Sequence, residues 1–172
     1  SIKKHQIIGG FEYSEPTFKN ERLRDTNHVK TLKGIFVQDQ LILSDKLSLT
    51  SGFRVDDYGQ KTILNPRIAT LYKINDNFKY RLSYGEGFRA PSIQETFIDF
   101  YNVDQGYKVI GNPLLEPEKS KGLNLNLEFS NRKSSRLNVL YYFNSFSNKI
   151  FVQQTKDGLD YQRIFTYQNI SK

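Results

Sequence analysis

Apolar and polar side chains alternate with a period of two through most of this chain. Leu123-Asn124-Leu125-Asn126-Leu127-Glu128-Phe129-Ser130 sets Leu123, Leu125, Leu127 and Phe129 on one face and polar residues on the other. Leu47 to Asp56 repeats the pattern with Leu47, Leu49, Phe53 and Val55, and Phe78 to Gly85 repeats it with Phe78, Tyr80, Leu82 and Tyr84. Such alternation predicts strands with one apolar and one polar face. The expected strands cover about 4–18, 31–43, 47–57, 63–74, 78–88, 119–130, 136–152 and 161–170. No stretch of useful length carries the 3.6-residue period of a helix. The fold class is therefore all-β, an antiparallel meander of about eight long amphipathic strands.

Strand length and connection length add a direction. Several of these segments are longer than the usual five or six residues of a soluble strand, and a tilted membrane-spanning strand needs about 9–11. Short polar links at 44–46, 74–77 and 131–135 alternate with longer ones at 19–30, 89–118 and 156–160. Short turns on one rim and long loops on the other mark an outer-membrane barrel. The short link at 58–62 does not follow that rule. A soluble sandwich burying the same Leu and Phe rows remains an alternative on periodicity alone.

Composition narrows the chemistry. The net charge is +7 and aromatics make up 14% of the chain, which suits an anionic ligand, a lipopolysaccharide surface, or a soluble module stacking nucleic acid or polysaccharide. In the last case the rings should lie beside Lys and Arg. Instead Tyr80 and Tyr84 share a face with Phe78 and Leu82, while Lys79 and Arg81 lie opposite, so no nucleic-acid partner is expected. There is no Cys and only His5 and His28, neither placed in a strand core, which leaves no nucleophile set, metal cluster or cofactor site and argues against an enzyme. Mean hydropathy is -0.60 and no apolar run approaches the ~20 residues of a membrane helix. The absence of Met and of a signal peptide leads us to expect a piece of a mature protein.

Two boxes stand out. Gly85-Glu86-Gly87-Phe88-Arg89-Ala90-Pro91-Ser92 ends one strand, and Gly111-Asn112-Pro113-Leu114-Leu115-Glu116-Pro117-Glu118-Lys119-Ser120 leads into another. Gly85 and Gly87 let a strand bend, Pro91 cannot donate to a ladder, and Pro113 and Pro117 push Asn112 and Glu116 towards extended backbone. Together with Phe36-Val37-Gln38-Asp39-Gln40, Leu47-x-Leu49-x-x-Gly52-x-Arg54-x-Asp56, Asn65-Pro66-Arg67 and Tyr72-Lys73, this ordered set resembles the TonB-dependent outer-membrane receptors. The resemblance extends over nearly everything from about Thr31 onward. It implies that residues 1–172 are a partial, single barrel domain, a wall segment of a 22-stranded barrel, with a plug and TonB box outside this stretch. It further implies an outer-membrane location, contact with lipid and lipopolysaccharide, a TonB partner, and active uptake of a small ligand.

Recognition is expected in the long loop. Phe97, Phe100, Tyr101, Tyr107 and Lys108 could cradle a ring-bearing ligand such as a catecholate ferric siderophore through stacking and cation–π contacts, or could simply pack the loop. Arg89 could bind an anion or pair with Glu86, Glu95 or Glu118. Gly85, Gly87, Pro91, Asn112, Pro113 and Pro117 are expected to shape the rim. Haem receptors of the family carry a His between two such boxes, and residues 92–111 contain none, which ranks a ferric siderophore ahead of haem. Cobalamin and glycans rank behind both.

Overall fold

The computed structural model describes residues 4–24, 27–59, 61–131, 135–157 and 163–170. The chain falls into two compact units, one made of Ser1–Glu12, Lys33–Gly87 and Ser120–Ser145, the other of Tyr13–Leu32, Phe88–Lys119 and Phe146–Lys172.

Long strands build the first unit. They are β1 (Lys4–Ser14), β4 (Leu32–Ile42), β5 (Leu47–Tyr58), β6 (Lys61–Lys73), β7 (Phe78–Arg89), β10 (Glu118–Asn131) and β11 (Ser135–Ser147). They form one seven-stranded sheet in the order β1-β4-β5-β6-β7-β10-β11. Chain order and sheet order agree, so this is a meander interrupted by two excursions, one after β1 and one after β7. The register is continuous and antiparallel from Leu47↔Tyr72 to Tyr58↔Lys61 between β5 and β6 and from Arg67↔Gly85 to Lys73↔Lys79 between β6 and β7.

Register assigns the faces. Arg54 opposes Asn65 and Arg67 opposes Gly85, so Arg54, Asp56, Asn65, Lys79 and Arg81 lie on one face. On it Arg54 bridges Asp56 at 2.7 Å and Glu12 at 2.8 Å, Asn65 donates to Asp56, and Lys79 pairs with Glu128 at 3.0 Å. Asp56, 1% exposed, is the one fully buried side chain among the described residues. A buried carboxylate is tolerable because Arg54 and Asn65 supply its charge and hydrogen bonds.

The opposite face is apolar and open. Phe53 is 49% and Leu64 58% exposed, and Ile68, Leu82, Leu123 and Phe129 are exposed beside them. A soluble sandwich would bury this row against a second sheet; a membrane-spanning wall presents it to lipid. Tyr72 and Tyr80 face each other across β6 and β7 on that side, ring centroids 5.6 Å apart, near the short turns. That is where a barrel carries an interfacial aromatic girdle.

Short connections follow local chemistry. Asn75 Oδ1 accepts from the backbone of Asn77 and Phe78, and Ser44 Oγ from that of Lys46 and Leu47, so each short turn closes on its own side chain. At the opposite rim β5 and β6 pair as far as Tyr58↔Lys61, and the positive φ of Gly59 (67°) suits a tight hairpin there. The link expected at 58–62 is thus shorter than read, because the strands continue through Tyr58 and Lys61.

The second unit departs more from the sequence reading. The stretch expected as one strand over 4–18 stops at Ser14 and resumes as β2 (Thr17–Lys19), paired with β3 (Asn27–Val29). The loop expected at 19–30 therefore contains a strand, and His28 sits in it. The long 89–118 connection folds into α1 (Ile93–Phe97), β8 (Asp99–Asn102) and β9 (Tyr107–Ile110). The strand expected over 136–152 breaks at Asn148, whose φ is 55°, into β11 and β12 (Lys149–Asp157). β12 pairs with β13 (Arg163–Ile170), and β13 pairs with β9 in parallel, giving a four-stranded sheet β12-β13-β9-β8. The turns expected at 131–135 and 156–160 fall largely outside the described residues.

A clamped excursion and its aromatic cluster

Within the second unit the excursion between β7 and β10 is built around α1. Ser92 caps the helix by a reciprocal pair of bonds: Ser92 Oγ accepts from Glu95 N at 3.1 Å, and Glu95 Oε2 accepts from Ser92 N at 2.7 Å. Ile98 N and Thr96 N close the turn onto Gln94 and Ser92 carbonyls.

Arg89 binds both ends of the excursion. Its guanidinium donates to both oxygens of Glu95, at 2.9 and 3.0 Å, and to both oxygens of Glu118, at 2.9 Å each. Two forked carboxylates use the planar donors of one Arg, a geometry Lys cannot supply. Glu118 Oε1 also accepts from Ile150 N at 2.8 Å. Burial pushes the Glu95 carboxyl up, but hydrogen bonds from Arg89 and Ser92 outweigh it and hold the group below the usual carboxylate range. Beside it Lys30 Nζ donates to the Pro91 carbonyl, and burial pushes that ammonium down, with Glu95 opposing. Of the two sequence readings of Arg89, the structure shows the ion-paired arrangement, with Glu95 and Glu118 rather than Glu86.

Gly111 returns the chain across the helix. A Cβ there would meet backbone atoms of Thr96 and Phe97 at 2.6 Å, so only Gly allows the approach that lets Gly111 N donate to Ile98 O and Asn112 N to Glu95 O. Asn112 ties the return in place: its Nδ2 donates to Tyr167 O at 3.0 Å and its Oδ1 accepts from Leu114 N. Pro91 and Pro117 are buried and Pro113 is exposed. Gly85 sits in regular pairing opposite Arg67, and the nearest atom to a Cβ at Gly87 would be Ser120 Oγ at 3.1 Å. Besides Pro91 and Pro117, Leu23, Ile98 and Leu115 are buried, and Leu23 bridges Ile98 directly.

The candidate recognition residues separate into two groups. Phe97 stacks on His28, centroids 4.0 Å apart and planes within 15°. Phe100, Tyr107 and Phe165 form an edge-to-face series with centroids 6.4 and 6.0 Å apart, and the Arg22 guanidinium lies 4.5 Å over Phe100. Lys108 pairs with Asp99 at 2.8 Å, and Tyr101 is 41% exposed. The sequence reading missed His28, Arg22 and Phe165, which reach this cluster from stretches far away in the chain. It also missed α1, whose Ser92-x-x-Glu95 signature was legible.

Chemically the unit offers aromatic edges, a cation over a ring and a rigid hydrogen-bonded frame. Among the described residues no group of three or more His, Cys, Asp or Glu could hold a metal.

Comparison with known proteins matches this geometry. A sequence profile described as TonB dependent receptor-like, beta-barrel, matches residues 4–172. The iron-regulated outer membrane virulence protein of Vibrio cholerae serotype O1 is 25% identical over 154 residues, 87% of this chain and 24% of that protein. The heme/hemopexin utilization protein C of Haemophilus influenzae is 26% identical over 155 residues, 76% of this chain and 22% of that one. The crystal structure of the siderophore receptor PirA from Pseudomonas aeruginosa superposes with a TM-score of 0.87 at 20% identity, over 99% of this chain and 34% of that one. The chain thus spans about a quarter of the length of the curated relatives it matches.

Proposed function

Because this chain belongs to the TonB-dependent receptor β-barrel family across residues 4–172, we propose that it is a stretch of wall in a receptor that captures a ferric siderophore and passes it inward. The protein resides in the outer membrane of a Gram-negative bacterium, as its family and relatives do. Residues 1–172 are read as one incomplete barrel domain. The observation that carries this reading is the open apolar face of the seven-stranded sheet, opposite a charged face built on Arg54 and Asp56. Lipid on one side and a watery lumen on the other account for both.

Transport proceeds by capture at the external loops, then movement of a plug driven by TonB. The wall contributes binding and positioning rather than bond-making chemistry, so the protein is read as a transporter and not an enzyme. Phe100, Tyr101 and Tyr107 would stack catecholate rings, with Phe97 beside them. Lys108 and Arg22 would attract the anionic complex. Arg89 would act through the frame it holds. Haem is the second reading, supported by the likeness to the heme/hemopexin utilization protein C.

The test is binding of a ferric tris-catecholate and of haemin to the full-length receptor by isothermal titration calorimetry, with Tyr107→Phe and Arg89→Ala variants. The proposal expects tighter binding of the ferric catecholate. Preference for haemin would transfer the assignment to the second reading, and no binding of either would leave the receptor class without an iron ligand.

A further inference from the structure

A shallow groove of about 360 Å³ lies on the open face of the first unit. Its hollow is made at Ser51, a small residue between Val37, Phe53, Ile68 and Tyr84, and Asp39 stands at its lower end. Ser51 opposes Ile68, and Ile68 opposes Tyr84, so these residues share the face that carries exposed Phe53 and Leu64.

Asp39 is out of place there. A carboxylate on a lipid-facing strand is unfavourable unless it is partnered or near the headgroups. His5 Nδ1 donates to Asp39 Oδ2 at 2.7 Å, but Oδ1 is buried without a hydrogen-bond partner, while the side chain as a whole is 31% exposed. A carboxylate accepts about four hydrogen bonds; with Oδ1 enclosed, the oxygen that can meet a ligand is Oδ2, which takes one bond from His5 and has a second lone pair to offer. Its position fits a headgroup. Asp39 lies three residues from the end of β4 at Ile42, and Tyr84 lies six residues from the start of β7 at Phe78. On strands tilted by about 45°, the groove then runs from about 7 to about 14 Å inside the short-turn rim. That is the reach of an acyl chain in the periplasmic leaflet.

We propose that this groove is a phospholipid site: Val37, Ser51, Phe53, Ile68 and Tyr84 seat an acyl chain, and Asp39 accepts hydrogen bonds from a primary ammonium headgroup of the phosphatidylethanolamine class. The choice of headgroup follows from charge and donors. A phosphatidylglycerol head has no cation, and a trimethylated choline head has no N–H to give. This site rests on the outer-membrane reading above and adds a particular lipid to it.

Native mass spectrometry of the full-length receptor in a neutral detergent tests the site, with phosphatidylethanolamine, phosphatidylcholine and phosphatidylglycerol of identical chains added singly. Retention of phosphatidylethanolamine at least ~3-fold above the other two is expected. Asp39→Asn should abolish that preference while lipid still binds, and Ser51→Leu, which fills the hollow, should lower retention of all three. Equal retention by the unaltered receptor, or a preference untouched by Asp39→Asn, overturns the site. The comparison across lipids needs no variant, so a variant that fails to fold leaves the question decided. A receptor that fractionates with outer membranes yet shows no preference sinks only the lipid site. One that is recovered in the aqueous fraction without detergent sinks the outer-membrane reading with it.

Discussion

Arg89 shows how one side chain can organise thirty residues of loop. It holds Glu95 at the start of the excursion and Glu118 at its end, each by two hydrogen bonds. Charge-assisted hydrogen bonds contribute about 1.5–3 kcal/mol when well shielded, and less where solvent screens them, as at a side chain nearly half exposed. Arg89→Ala should therefore loosen the excursion by about 1–2 kcal/mol, read as faster proteolysis between residues 90 and 117 on whole cells. Arg89→Lys should recover little, because an ammonium cannot fork to two carboxylates. An Arg89→Lys variant as resistant as the unaltered protein would refute the role of the forked geometry. Acid provides a second reading. The Glu95 carboxyl has a lowered pKa when folded, so its contribution is present above the unfolded value of about 4.3 and disappears as pH falls through the folded one. Hydrogen exchange of residues 92–98 should be slow and flat from pH 7 to 5, after correction for intrinsic rates, and accelerate below about pH 4. Charge in the sequence offers Arg89 three partners on an equal footing, Glu86, Glu95 and Glu118, and the choice of the last two depends on how α1 and the return strand are laid.

At the scale of elements, α1 and its crossing by Gly111 are what convert an awkwardly long loop into a folded piece. Gly111→Ala places a methyl carbon 2.6 Å from backbone that has no rotamer to retreat into, at a cost of about 1–3 kcal/mol. The expected result is loss of exchange protection at Ile98 N and Asn112 N, with the seven-stranded sheet unaffected; unchanged protection would show that the helix can shift to accommodate it. The strands themselves were legible. Those at 47–58, 61–73, 78–89 and 118–131 lie within a few residues of their expected bounds, because period-two alternation is a local property. The break at Asn148 and the parallel pairing of β9 with β13 were not. Asn148 lies in the polar run Ser147-Asn148-Lys149, too short by itself to mark the end of a strand, and a parallel partner more than fifty residues away leaves no mark in either segment.

For the whole molecule, the decisive property is an apolar face left exposed among the described residues, on a seven-stranded sheet that ends at β1 and β11. Such a sheet in water offers both an exposed apolar surface and edges to pair with. Residues 1–172 expressed alone should scatter light strongly without detergent and disperse in it; a dilute detergent-free monomer would contradict the wall reading. The amino-acid sequence by itself determined which residues share a face and, for the strands between Leu47 and Asn131, about where each begins and ends, because pleat and turn chemistry act between near neighbours. Its two glycine- and proline-bearing boxes located the excursion and pointed to the family. What the tertiary structure decided is which of two equally alternating faces is left open, and that Asp56 rather than a leucine is the fully buried side chain of the sheet among the described residues. It also decided that Phe165 and Arg22 join Phe100 and Tyr107. Those outcomes depend on contacts between residues remote in the chain, where a pattern of period two carries no information.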